Sequence, residues 1–237
     1  MTRRRWIADE VSGKRAFLVG AHADHLTRVL RARVGQEFDI TTGSEVRRGS
    51  IIAISSDRVE FELGEQIPVS PNTHVTLFLS IFKFDRMEWA IEKCTELGVA
   101  RIVPLIARRT EPHLATASAK RAERWRRIVL QAAEQSRRTL VPEISQPLKV
   151  KDALALPGGM RILLSETEEQ VMLKDVLQSG SSNGEIVIAF GPEGGWTEEE
   201  LNAFCEAGWV SASLGSTILR AETAAIAAMA IVQSELS

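Results

Sequence analysis

The stretch FGPEGGWTEEE, residues 190 to 200, sets three glycines and a proline around one acid, Glu193, and then adds Glu198, Glu199 and Glu200. It follows EIVIAF, a near-continuous apolar run that reads as a central strand. Thr197 suits a helix N-cap, and Glu200, three residues on, completes a capping box, so the loop is a strand-to-helix crossing. Such crossings usually attract phosphate, because free backbone N–H groups and the helix dipole favour an anion. Here the acids would repel one, and neither GxxxxGK(S/T) nor GxGxxG is present. Two readings stay open: the glycines admit a flat, uncharged group against bare backbone, or the turn is tight and capped and binds nothing. A second stretch, LGSTILRAETAA, follows another apolar run, with Gly215 in the turn and Arg220, Glu222 and Thr223 opening an alanine-rich helix. A cation at a helix N-terminus opposes the dipole, so Arg220 needs a reason. That reason is either function or an ion pair to Glu222 or Glu193 that ties the two loops together.

From His74 onward, strand and helix patterns alternate. HVTLFLSIF, RIVPLIA, RILLSE, EIVIAF and WVSASLG read as strands. RMEWAIEKCTELG places Met87, Ala90, Ile91, Cys94 and Leu97 on one helical face, with Gly98 as its stop. KRAERWRRIVLQAAEQS turns Trp125, Ile128, Val129 and Ala132 inward and its arginines outward, and LRAETAAIAAMAIVQSEL closes the chain as a slim helix. This alternation implies an α/β fold with a parallel sheet, whose ligands bind at the carboxyl ends of the strands. The first 70 residues differ. After a helix expected over ADHLTRVLRARVG, the segment from Glu37 to Ile67 is rich in β-branched residues and alternates in DRVEFEL, as a small, mostly antiparallel β unit would. PVSPN then reads as a linker.

The chain has 237 residues, 44% of them hydrophobic, enough for one large domain or two small ones. No apolar run is long enough to cross a membrane, and MTRRRWIADE lacks the apolar core of a signal peptide, so a cytoplasmic protein is expected. Cys94 and Cys205 stand alone, which argues for buried thiols rather than a disulfide or zinc site. His22 and His25 have ligand-like spacing but no third ligand, and no metal is expected. The net charge of −2 conceals an asymmetry: residues 1–70 carry +1, residues 71–140 carry +6 and residues 141–237 carry −9. The basic residues point either to a polyanionic partner, nucleic acid above all, or to a solvated helix face.

These residues together carry a resemblance. GPEGG after a strand, with LGSTILRAETAA about twenty residues later, resembles the two signature loops of the SPOUT methyltransferases, and specifically of the RsmE family, which methylates N3 of a uridine in 16S ribosomal RNA. KFDRMEWAIEKCTELGV resembles that family's motif through Lys83, Glu88, Lys93 and Glu96-Leu97-Gly98. WRRIVLQAAEQSRR followed by VPEI resembles its central helix. HADHLTRVLRARVGQEFDITTG resembles its N-terminal domain, with TTG where an acidic DG is more usual.

The resemblance implies a PUA-like RNA-binding β-barrel over residues 1–70, and a SPOUT domain over residues 71–237 whose parallel sheet is tied in a deep trefoil knot. It implies S-adenosylmethionine as cofactor, bound in the knot of a homodimer, and uridine 1498 of 16S rRNA in the 30S subunit as the target. The knot loops map to Leu164-Ser165-Glu166, to Gly191 through Gly195, and to Leu214 through Arg220. Leu214, Ile218 and Leu219 would sandwich the adenine, with backbone around Gly191, Gly195 and Gly215 reading its edge and Leu164, Ser165 and Glu193 completing the wall. Methylation at N3 requires uracil to lose a proton while its carbonyl oxygens gather charge, so a base and a cationic stabiliser are needed. Arg220 is the candidate stabiliser. Glu222 or Glu193 is the candidate base, unless either only orients Arg220 and a water or an arginine of a second subunit takes the proton. Arg3, Arg4, Arg5, Arg108, Arg109, Lys120, Arg121, Arg124, Arg126 and Arg127 would follow RNA phosphates. Trp6 either stacks on a flipped base or packs in the barrel core. The rival functions are a SPOUT enzyme acting on another base or a ribose 2′-OH, a non-catalytic RNA-binding module, and an adenine-nucleotide enzyme, which the acids disfavour.

Overall fold

The computed structural model describes residues 5–43, 45–67, 74–136, 138, 140–180 and 184–236. Arg3, Arg4 and the PVSPN segment lie outside them. The chain divides into two compact units, residues 1–70 with 137–140, and residues 71–136 with 141–237.

The first unit is a six-stranded sheet of β1 (Arg5–Ile7), β2 (Glu10–Ser12), β3 (Arg15–Val19), β4 (Glu37–Thr42), β5 (Glu45–Ile54) and β6 (Arg58–Gln66) in the order β1-β4-β5-β6-β3-β2. Only β1 and β4 pair in parallel. The alternation in DRVEFEL has its expected cause: Val59, Phe61 and Leu63 of β6 are buried and join a core with Leu18, Leu26, Ile40 and Ile51. Two register shifts between β5 and β6 bend the sheet. Gly49 lies between them, where a Cβ would collide with Ile40. The helix expected over residues 23–35 is shorter than its pattern. Helix α1 (Ala21–Asp24) passes at once into a π-helical turn over His25–Val29. There the Thr27 hydroxyl donates back to the carbonyl of Ala23 at 2.8 Å, and Arg31 takes a positive φ of 51° that ends the helix. Trp6 is half-buried against this core, its ring edge-on to those of His22 and His25.

The second unit is built on seven strands. In chain order its elements are β7 (His74–Ser80), α2 (Phe84–Glu96), β8 (Arg101–Ile106), α3 (Pro112–Gln135), β9 (Glu143–Ile144), β10 (Leu148–Lys149), α4 (Val150–Ala153), β11 (Met160–Leu164), α5 (Leu173–Ser179), β12 (Glu185–Phe190), α6 (Glu198–Glu206), β13 (Val210–Ala212) and α7 (Ala221–Leu236). Strand order is β10-β8-β7-β12-β11-β13, with β9 also on β8, and every pairing is parallel. The central strands are apolar on both faces because both faces are covered. Leu77 and Leu79 of β7 and Ile186, Ile188 and Phe190 of β12 enter one core, with Trp125 of α3 and Met229 of α7. The alternate residues Phe78, Val187 and Ala189 enter the other, with Phe204 of α6 and Trp209. Among the described residues no helix is long and apolar enough to cross a membrane.

Both cysteines are free, but they differ in environment. Cys94 is fully buried on the inner face of α2, as its periodicity requires. Cys205, expected to be buried, is exposed on α6, whose neighbouring Phe204 is the residue turned inward. Desolvation favours the neutral thiol and raises the Cys94 pKa to about 12. In the native protein at pH 8, a thiol reagent should therefore modify one cysteine per chain, Cys205. Cys94 should react only after denaturation, and peptide mapping of the labelled protein checks the assignment.

Candidate active site

The strands β11, β12 and β13 end side by side at Leu164, Phe190 and Ala212. Their following loops line a cavity of about 1060 Å³. That is at the upper end of the roughly 300–1,000 Å³ common for small-molecule sites.

In the first loop, Ser165 donates its N–H to the carbonyl of Ala212 at 3.1 Å, and its hydroxyl meets that of Thr167 at 2.8 Å. Glu168 accepts from the N–H groups of Gln170 and Val171 at 2.9 and 3.1 Å, which holds its carboxyl below the usual carboxylate range. In the second loop, Gly195 donates to the carbonyl of Pro192 at 2.8 Å and takes a φ of 69°. A Cβ there would collide with the carboxylate of Glu166, so glycine is required on two grounds. The Trp196 indole donates to the carbonyl of Leu164 at 3.0 Å, joining the second loop to the first. Thr197 and Glu200 form the capping box: Thr197 Oγ1 accepts from the Glu200 N–H at 3.3 Å, and Glu200 Oε2 accepts from the Thr197 N–H at 3.0 Å. The other oxygen of Glu200 accepts from the N–H of Arg108 at 2.8 Å. In the third loop, Gly215 takes a φ of 128° and exchanges hydrogen bonds with the Ser213 hydroxyl, each 3.2 Å.

All nine residues expected to form the cofactor wall, Leu164, Ser165, Gly191, Glu193, Gly195, Leu214, Gly215, Ile218 and Leu219, line this cavity, as does Arg220. Glu222 is 5% exposed, just behind the lining in the first turn of α7, and its Oε2 has no hydrogen-bond partner among the described residues. The ion pair considered for Arg220 is not formed. Arg220 is exposed and has no charged partner among the described residues. The cation on these acids is instead Arg86, in the first turn of α2, with Nη1 3.6 Å from Glu193 Oε1 and Nε 3.8 Å from Glu222 Oε1. Sequence reasoning misses Arg86, although the signal that singles out Arg220, a cation opposing a helix dipole, applies equally to it.

Several arginines expected to meet RNA are engaged within the protein. Arg109 donates to the carbonyl of Gly194 at 2.6 Å, and Arg108 lies 3.7 Å from Glu199. Arg124 and Arg121 both donate to Glu88, at 2.8 and 3.1 Å. Arg126 pairs with Glu123. Arg127 is exposed on α3 and has no charged partner among the described residues, while Arg5 is half-buried in β1. The described residues contain no group of three or more His, Cys, Asp or Glu placed to hold a metal ion.

A sequence model of the RNA methyltransferase domain matches residues 69–233. The chain is 34% identical to the ribosomal RNA small subunit methyltransferase E of Synechocystis, over 92% of this chain and 73% of the relative. It is 33% identical to the enzyme of that name from Rickettsia conorii, over 90% and 86%. Among solved structures it is similar to ribosomal RNA small subunit methyltransferase E from Neisseria gonorrhoeae bound to S-adenosylmethionine, with 31% identity, a TM-score of 0.73 and 98% of both chains covered. A methyltransferase structure from Legionella pneumophila in complex with S-adenosylmethionine is 26% identical, with a TM-score of 0.70, covering 99% of this chain and 98% of that one. The chain belongs to the ribosomal RNA small subunit methyltransferase E family and is an S-adenosylmethionine-dependent ribosomal RNA methyltransferase.

The cavity's chemistry fits that cofactor. Its adenine is neutral and its sulfonium cationic, so it needs apolar walls and exposed backbone, and it tolerates the acids that would repel a nucleotide phosphate. Replacing Gly195 with alanine should weaken S-adenosylmethionine binding by about tenfold or more, since a positive φ costs an L-residue roughly 1–2 kcal/mol and the Glu166 carboxylate must also move. Calorimetric titration, with a melting curve to confirm the fold, measures the loss.

Proposed function

We propose that this enzyme methylates N3 of uridine 1498 in 16S ribosomal RNA, within the 30S subunit. The reading is carried by one observation: Arg220 stands at the rim of the three-loop cavity with its charge uncommitted, while the acids around it share a different cation. S-adenosylmethionine supplies an electrophilic methyl group. The chain must bring the uracil to it, accept the N3 proton and stabilise the charge that spreads onto O2 and O4. Arg220 holds that charge through its guanidinium donors. Of the two candidate bases, Glu193 lines the cavity and accepts the proton, whereas the buried Glu222 helps to set the cations. Leu214, Ile218 and Leu219 hold the adenine, and the backbone at Gly191, Gly195 and Gly215 meets its edge.

The remaining parts follow the same family reading. Residues 1–70 act as a PUA-like RNA-binding barrel, supported by the curled, mostly antiparallel sheet, and residues 71–237 form the SPOUT domain. A trefoil knot at the carboxyl end is supported by the placement of β13 beside β11, where residues 171–173 pair with Ser213. The enzyme works in the cytoplasm as a homodimer and uses no metal. Arg5, Arg124 and Arg127, with Arg3 and Arg4, contact RNA phosphates, giving an affinity that falls as salt rises. Arg108 and Arg109 act on RNA from positions already fixed by the cavity loops.

Incubation with labelled S-adenosylmethionine and 30S subunits from a strain lacking the modification should place label in 16S rRNA, and mass spectrometry of the digested nucleosides should give 3-methyluridine. Recovery of a 2′-O-methylated nucleoside or another methylated base would replace the N3 assignment. Arg220→Ala should lower kcat at least about a hundredfold, the effect expected for loss of a transition-state charge stabiliser, and leave S-adenosylmethionine affinity within about threefold. Full activity in that variant removes Arg220 from the mechanism.

A further inference from the structure

We propose that Arg86 is a positioning residue of the methyl-transfer site: by holding the carboxylates of Glu193 and Glu222 it keeps Arg220 from being captured by the buried acid beside it. The inference rests on the role given to Arg220 above.

Three observations lead to it. Arg86 lies in the first turn of α2, where its charge opposes the helix dipole, so α2 itself gives no reason for a cation there. Its guanidinium lies between acids of two different segments, 3.6 Å from Glu193 in the loop after β12 and 3.8 Å from Glu222 in α7. Glu222 is 5% exposed and one of its oxygens has no hydrogen-bond partner among the described residues, so Arg86 is the cation placed to offset its burial.

Take Arg86 away and the two acids lose the cation they share. An uncommitted cation is at hand in Arg220, which is two residues from Glu222 in the chain and lines the same cavity as Glu193. Arg220 would turn onto the acids, and the site would lose its stabiliser without losing its cofactor pocket. A planar fork can face two carboxylates at once, which a lysine ammonium does less well.

The test compares the wild type, Arg86→Gln, and Arg86→Gln combined with Glu222→Gln, which neutralises both members of the buried pair. The rate at which phenylglyoxal modifies Arg220, followed by peptide mass spectrometry, needs neither substrate nor activity. It should fall about threefold or more in Arg86→Gln, a coupling of the size found between contacting charges, and return toward the wild-type rate in the double variant. Methyl transfer to 30S subunits should follow the same pattern: kcat down about tenfold in the single variant, at an S-adenosylmethionine affinity within about threefold of the wild type, and partly restored in the double variant. Equal labelling of Arg220 in all three proteins overturns the proposal, and so does a double variant no faster than the single one. Should Arg86→Gln fail to fold, Arg86→Lys is compared instead: slower Arg220 labelling supports the proposal and unchanged labelling overturns it. If the wild type itself does not methylate 30S subunits, the assigned substrate is wrong, and the labelling rates still decide the role of Arg86.

Discussion

The second unit depends on one constraint: a parallel sheet must be covered on both faces. Parallel neighbours cannot be joined by hairpins, so the chain crosses over between strands and returns to the same edge of the sheet. Helices α2, α3, α5 and α7 pack with one core, and α4 and α6 with the other. Because all strands run the same way, β11, β12 and β13 end together, and the three loops that leave them share one rim. The cavity follows from this geometry before any particular loop residue is considered.

Chemistry then depends on how the loops are tied. The Trp196 indole bonds to the backbone of Leu164, Ser165 bonds to that of Ala212, and Arg109 to that of Gly194. Each tie fixes a loop through a backbone carbonyl. The capping box performs a similar service, with Glu200 joining the start of α6 to the backbone of Arg108. The acids of the second loop therefore serve different ends. Glu200 is structural, Glu199 faces Arg108 at the surface, and Glu193 belongs to the cavity.

Much of this is legible in the sequence because it is local. The apolar runs of β7 and β12, the period-two alternation in β6 and the Thr197–Glu200 spacing are each set within a few residues. The cavity lining is legible by resemblance, since GPEGG and LGSTILRAETAA carry the family's loops. Arg86 is not, because its meaning lies in two carboxylates that are distant in the chain and brought near only by the fold. The short first helix escapes for a different reason. The pattern from Ala23 to Gly35 has helical spacing, but the back-bonding of Thr27 and the positive φ of Arg31 override it. Cys205 shows the limit of composition: a lone cysteine is usually buried, yet its position on α6 is decided by Phe204 next to it.

The outer edge of the parallel sheet carries a consequence for solubility. Beyond β8 the edge is shared by two separate two-residue strands, β9 against Arg101 and Ile102 and β10 against Leu105 and Ile106. An edge strand left long and bare would offer a row of backbone donors and acceptors to any passing chain, as the templates of cross-β assembly do. Here the segment between the two short strands interrupts that row, so a stray strand finds no continuous ladder to extend. A chain with so many buried apolar strands thereby presents little template for polymerisation along this edge of its sheet.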